Sequence, residues 1–247
     1  MASRRQQKAM RREARLAAEA RAQAAARRRR RGLVLSLAAA GAALVALIAV
    51  LVVVNNSGGG APKVSASDPV LGNPNAPVTI VWYADYKCPF CTAWAIQTEP
   101  KLKRDYIDTG KVRLVWHDFV NIDAESEPAA EAARCAGAQG RYWAYSDALY
   151  HYTWNTFYQR GSSAEGQTAF SGHYEQLARQ AGVKDIAAFR SCIAASTYHE
   201  ALLRSRDAGV SEGVDGTPTF FIGGQKVVGA QPYDVFRRLI DAKLGGS

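Results

Sequence analysis

Cys88-Pro89-Phe90-Cys91 constrains this chain more than any other feature. It directly follows Val78-Thr79-Ile80-Val81-Trp82-Tyr83, a run with the β-branched and aromatic content of a buried strand. Beyond the second cysteine, Thr92-Ala93-Trp94-Ala95-Ile96-Gln97 reads as helix, starting at Cys88. A Cys-x-x-Cys pair so placed lies at a helix N-terminus. There, unpaired N–H groups and the positive end of the helix dipole stabilise a thiolate. The thiolate is the species that exchanges disulfides. Cys88 is then the reactive sulfur. Cys91, one turn further in, is the more buried partner. The alternatives are a static disulfide and a zinc site. Zinc wants a second Cys/His pair at short spacing, and Cys135 and Cys192 each stand alone, so no metal is expected.

Charge divides the chain unevenly. Residues 1–31 hold twelve Lys/Arg and two Glu; the remaining nineteen Lys/Arg face twenty Asp/Glu. The formal charge of +9 therefore belongs to the N-terminal tail. A near-neutral fold argues against a nucleic-acid-binding domain. Leu33 to Val54 is an uncharged stretch of 22 residues. As a helix it spans about 33 Å, close to the hydrocarbon thickness of a bilayer. A cleaved signal peptide would have an apolar region of roughly 7–15 residues, so an uncleaved anchor is expected. Ser3-Arg4-Arg5 resembles a twin-arginine export signal, but Gln6-Gln7 stand where apolar residues belong. Arg27 to Arg31 abut the span, which places the tail in the cytoplasm and residue 55 onward outside.

The expected organisation is a basic tail at 1–32, a transmembrane anchor at 33–54 and a flexible linker at 55–68. An α/β domain follows at 69–123 and 209–247, interrupted by an all-helical insertion at 124–208. Pro69 to Pro77 reads as an extended lead-in. The helix after Cys88 should bend at Pro100 and reach Ile107. Lys111 to His117 alternates as a second strand, giving a right-handed βαβ unit. Thr219–Ile222 and Gln225–Val228 flank Gly223-Gly224, a two-residue hairpin signature. Pro232 opens a last amphipathic helix with Val235, Phe236, Leu239 and Ile240 on one face.

With Cys88 and Cys91 in the motif, Cys135 and Cys192 are left as a natural pair outside the cytoplasm. A bridge would close a loop of about 58 residues and contribute roughly 4 kcal/mol. Two separate buried thiols, or a second redox pair that relays electrons, remain alternatives. The aromatic stretch Tyr142, Trp143, Tyr145, Tyr150, Tyr152, Trp154, Phe157 and Tyr158 reads as core, with part of it a rim for a peptide surface. His117, His151, His173 and His199 show no metal spacing. The Trp116-His117-Asp118 end of the second strand reads as packing and turn.

Four segments follow one another in order: Ala76-Pro77-Val78-Thr79-Ile80, Asp85-Tyr86-Lys87-Cys88-Pro89-Phe90-Cys91, Gly110-Lys111-Val112-Arg113 and Gly216-Thr217-Pro218-Thr219-Phe220. Over about residues 68–243 the chain resembles the DsbA-like thiol:disulfide oxidoreductases, in particular the membrane-anchored Gram-positive and actinobacterial type. The resemblance implies a thioredoxin fold with an inserted helical domain, Cys88 as nucleophile and Cys91 as its partner. It also implies that Pro218 is cis and faces the motif, where Thr217, Pro89 and Phe90 would contact an extended substrate. A second disulfide occurs in some relatives, and reoxidation is commonly by a quinone-linked membrane protein of the DsbB or vitamin K epoxide reductase type. Two positions depart from the family. Phe90 replaces the His of its strongest oxidant, so the Cys88 pKa should lie below that of a free thiol but not at the family's lowest extreme. Trp82 stands where many relatives carry a buried Glu.

The expected function is oxidation of dithiols in exported proteins by a membrane-anchored, monomeric enzyme without a cofactor. The rivals are a reductase of the same fold and a tethered chaperone or binding module whose cysteines are only structural.

Overall fold

A computed structural model describes residues 62–158, 170 and 172–245. The basic tail, the apolar segment 33–54 and the linker up to residue 61 lie outside the described residues. Among the described residues no helix is long and apolar enough to cross a membrane.

Five strands form one mixed sheet in the order β1-β3-β2-β4-β5. They are β1 (Val70–Leu71), β2 (Val78–Ala84), β3 (Val112–Asp118), β4 (Thr219–Ile222) and β5 (Gln225–Val228). β2 and β3 run parallel, with Val78 opposite Val112. β4 pairs antiparallel with β2, placing Trp82 opposite Phe220. Both central strands are buried on nearly every residue, which is why each reads as a continuous apolar run. Gly223 and Gly224 both take positive φ, 52° and 88°, as the tight β4–β5 turn requires.

The helices are α1 (Pro89–Gln97), α2 (Glu99–Leu102), α3 (Ser126–Gly137), α4 (Tyr142–Thr153), α5 (Tyr174–Gln180), α6 (Ile186–Ala194), α7 (His199–Ser211) and α8 (Tyr233–Gly245). Several bounds differ from the sequence reading. Cys88 is the N-cap of α1, with extended backbone, and helix begins at Pro89. The break falls at Thr98; Pro100 then sits in the first turn of α2, where its missing N–H costs nothing. A π-helical turn, Lys103–Ile107, completes the connection. Within the lead-in, Val70 and Leu71 add the short strand β1. α7 runs three residues past Ala208. The end of the expected linker is tied down: Arg134 donates to the Ser67 carbonyl at 3.0 Å, and Asp68 lies 3.2 Å from His117 Nε2.

One sheet face carries Ile80, Trp82, Leu114, Trp116, Phe220 and Ile222 into the main core. The other carries Val81, Tyr83, Val115, Phe119 and Phe221. α7 crosses that second face through Gly209, where a Cβ would sit 2.8 Å from Phe119 and 2.9 Å from Tyr83. Helices α3 to α7 lie in sequence between β3 and β4. Five buried alanines of α3, Ala129, Ala130, Ala132, Ala133 and Ala136, let the neighbouring helices approach closely. Tyr150 of α4 stacks on Trp82, and Tyr142 meets Trp116 edge-on, so aromatic rings join the helical region to the sheet.

Candidate active site

β2 ends at Ala84 and the chain turns through Asp85-Tyr86-Lys87 into Cys88. Asp85 holds this turn. Its Oδ1 accepts the Lys87 N–H at 2.8 Å, and its Oδ2 accepts the Asn121 and Ile122 N–H groups at 2.9 and 3.2 Å. Burial raises its carboxyl pKa, opposed by those backbone donors. The Lys87 ammonium is buried against Asp123 at 3.2 Å. The loop after β3 is thus fastened to the residues that present Cys88. No spacing in the sequence marks Asp85, Lys87 and Asp123 as parts of one fastening.

Cys88 and Cys91 are unbonded thiols, both buried. Cys88 Sγ donates to the Thr217 carbonyl at 3.2 Å. The Thr217–Pro218 bond is cis, and the loop is pinned by Gly229 N–H on the Pro218 carbonyl at 2.8 Å. The structure therefore brings Cys88, Cys91, Thr217 and Pro218 together at the C-terminal end of β2. Pro89 is half-buried and Phe90 is 64% exposed, an apolar ring on the surface beside the pair.

The two sulfurs are unequal. The Cys88 pKa is lowered to about 7, chiefly by the hydrogen bond from the Cys91 thiol, against the effect of burial. Thr217 and the Cys91 and Phe90 N–H groups add to it. The Thr217 hydroxyl is buried with no hydrogen-bond partner among the described residues and lies on the side of Cys88, where it favours the thiolate. Burial, then the neighbouring Cys88, pushes the Cys91 pKa well up. Below Cys91 lies the aromatic core rather than a carboxyl at position 82. Trp82 packs 4.5 Å from Trp94, 4.8 Å from Trp116 and 5.8 Å from Phe220 between ring centroids.

A lowered pKa has a pH signature. Cys88 ionises below the free-thiol value of about 8.5, so its thiolate stabilises the folded dithiol form fully above that pH. The contribution fades as pH falls through about 7. Thiolate absorbance of the reduced protein should rise with a midpoint near 7, without a Cys91 step below 9. A single midpoint at 8.5 or higher would contradict this reading.

Cys135 of α3 and Cys192 of α6 are joined by a disulfide with Cα atoms 5.9 Å apart, within the helical region. His117 is buried in β3, and His199 pairs with Glu127 across α3 and α7.

The family model described as Thioredoxin matches residues 65–242. The probable disulfide bond formation protein D of Bacillus cereus is 28% identical over 180 residues, 70% of this chain and 77% of that protein. The oxidised crystal structure of BdbD from Bacillus subtilis aligns with a TM-score of 0.67 at 22% identity, covering 77% of this chain and 99% of that one. A thioredoxin-like oxidoreductase from Silicibacter pomeroyi DSS-3 aligns with a TM-score of 0.60 at 26% identity, covering 74% and 95%.

Proposed function

The chain belongs to the thioredoxin family and is a DsbA-like thiol:disulfide oxidoreductase, and from that premise we propose that it oxidises dithiols of exported proteins outside the cytoplasmic membrane. The observation that supports this direction is the likeness to the disulfide bond formation proteins D of Bacillus cereus and Bacillus subtilis. The inequality of the two sulfurs sets which one exchanges: Cys88, with the lowered pKa, is the sulfur attacked and released, and Cys91 stays inside.

The steps follow from the geometry. A substrate thiolate attacks Cys88 Sγ in the Cys88–Cys91 disulfide; that bond breaks and its electron pair leaves on Cys91. A buried Cys91 favours its protonated form, so the departing sulfur takes up a proton. A second substrate thiolate attacks the substrate sulfur of the mixed disulfide and expels Cys88 as the thiolate. The substrate gains a disulfide and the enzyme becomes a dithiol. The Thr217 backbone beside Cys88 offers edge-on pairing to an extended substrate, and exposed Phe90 gives that segment apolar contact.

Within the same proposal, residues 33–54 anchor the enzyme and residues 1–31 stay in the cytoplasm, supported by the uncharged span and the arginines before it. A quinone-linked membrane protein of the DsbB or vitamin K epoxide reductase type restores the disulfide. The test mixes the oxidised full chain with a reduced, unfolded secreted protein. Disulfides should appear in the substrate as Cys88 and Cys91 become thiols, mole for mole. Cleavage of preformed substrate disulfides by the reduced chain, without the forward reaction, would reverse the assignment.

A further inference from the structure

Glu131 is a buried acid one turn before Cys135 in α3, remote in sequence from the Cys88 motif. Its Oε1 accepts the Tyr198 N–H at 2.8 Å, at the start of α7. The same oxygen lies 3.9 Å from Cys135 Sγ. Its Oε2 is buried with no hydrogen-bond partner among the described residues. Capping α7 needs one acceptor, which glutamine supplies without a titratable group. A carboxyl with a spare buried oxygen is a costly choice for that task alone. The two bridged sulfurs also differ. Cys135 is 1% exposed, whereas Cys192 is partly exposed. A thiol arriving from solvent meets Cys192, and Cys135 is then the leaving group inside the fold.

We propose that the Cys135–Cys192 disulfide is a second thiol-exchange site, attacked at Cys192 by a small thiol, with Glu131 as the acid that protonates the departing Cys135 sulfur. The attacking thiolate bonds to Cys192 as the Cys135–Cys192 bond breaks. The electron pair of that bond leaves on Cys135, which takes the Glu131 proton. A second small thiolate then attacks the sulfur of the first; the bond to Cys192 breaks, its electron pair leaves on Cys192, and Cys192 and Glu131 each take a proton from water. Two small thiols become one disulfide, and Cys135 and Cys192 become thiols. An ionised Glu131 would instead oppose a developing thiolate of like charge. Burial raises the Glu131 pKa, with help from the Glu127 and Asp118 charges and against the Tyr198 N–H and His199.

The test uses the full chain carrying Cys88→Ser and Cys91→Ser, so its outcome is separate from that of the first site. Reduction by dithiothreitol is followed by mass spectrometry of alkylated thiols between pH 5 and 8, each rate divided by the reagent's thiolate fraction. With Glu131 present, the corrected rate should fall as pH rises through the Glu131 titration. Glu131→Gln, which keeps an acceptor for Tyr198, should lower the low-pH rate on the order of tenfold and remove the pH step. The His199 and Glu127 charges face the same site, so His199→Gln, which should retain the step, serves if Glu131→Gln does not fold. A pH-independent corrected rate, equal rates with and without Glu131, or reduction no faster than global unfolding overturns the proposal.

Discussion

Cys88→Ser abolishes disulfide transfer to a dithiol peptide, a loss on the order of a thousandfold or more, whereas Cys91→Ser halts after one covalent step. That asymmetry is the expected result because the sulfurs sit in different surroundings. Cys88 caps α1, receives the Cys91 thiol hydrogen bond and faces the Thr217 loop, so it ionises near neutral pH. Cys91 is fully buried in the main core and stays protonated. The Cys88→Ser protein therefore keeps only an unreactive thiol. In Cys91→Ser, Cys88 still attacks a disulfide such as oxidised glutathione, but no neighbouring thiol resolves the product. Mass spectrometry should find a stable mixed disulfide on Cys91→Ser and none on Cys88→Ser. Mixed disulfides on both variants at similar rates would show that the sulfurs are equivalent.

Asp118→Ala should be the most damaging of the simple charge removals. Asp118 is wholly buried at the end of β3. Its Oδ2 accepts from Arg134 Nε and Nη2 at 2.8 and 2.6 Å, and its Oδ1 accepts from Trp116 Nε1 at 2.7 Å. Arg134 also donates to Ser67 and lies 5.9 Å from the Tyr142 ring. Among the described residues, removing the carboxylate leaves a buried guanidinium with one carbonyl partner and an indole N–H with none. Stranding a buried charge in this way costs about 3–5 kcal/mol. For a domain of this size that lowers the midpoint of thermal unfolding on the order of 10 °C. Asp118→Asn keeps an acceptor for Trp116 and should fall between the two. A variant that melts with the wild type would contradict this account of the pair.

The parts that fold by local pattern were legible in the sequence. β2 and β3 announce themselves as apolar runs because both of their faces are covered. Gly223-Gly224 marks its hairpin because only glycine takes both turn positions without strain. Cys88-Pro89-Phe90-Cys91 placed the reactive pair at a helix start because proline suits the first helical turn. What the sequence hid depends on partners distant along the chain. Asp85 and Asn121, or Arg134 and Asp118, look like solvated residues until the fold buries them together. Trp82 was visible as a departure from relatives, but only packing showed that Trp94, Trp116 and Phe220 fill the space a carboxyl would need. The end of α2 escaped for another reason: neither propensity nor spacing signals a π-helical turn.

The reduction potential of the Cys88–Cys91 pair, measured on the full chain against glutathione buffers, tests the central claim most directly. The proposed oxidation of exported dithiols predicts a value between about −120 and −180 mV, the range of disulfide donors. A value near −270 mV, that of a dithiol reductant, would contradict it.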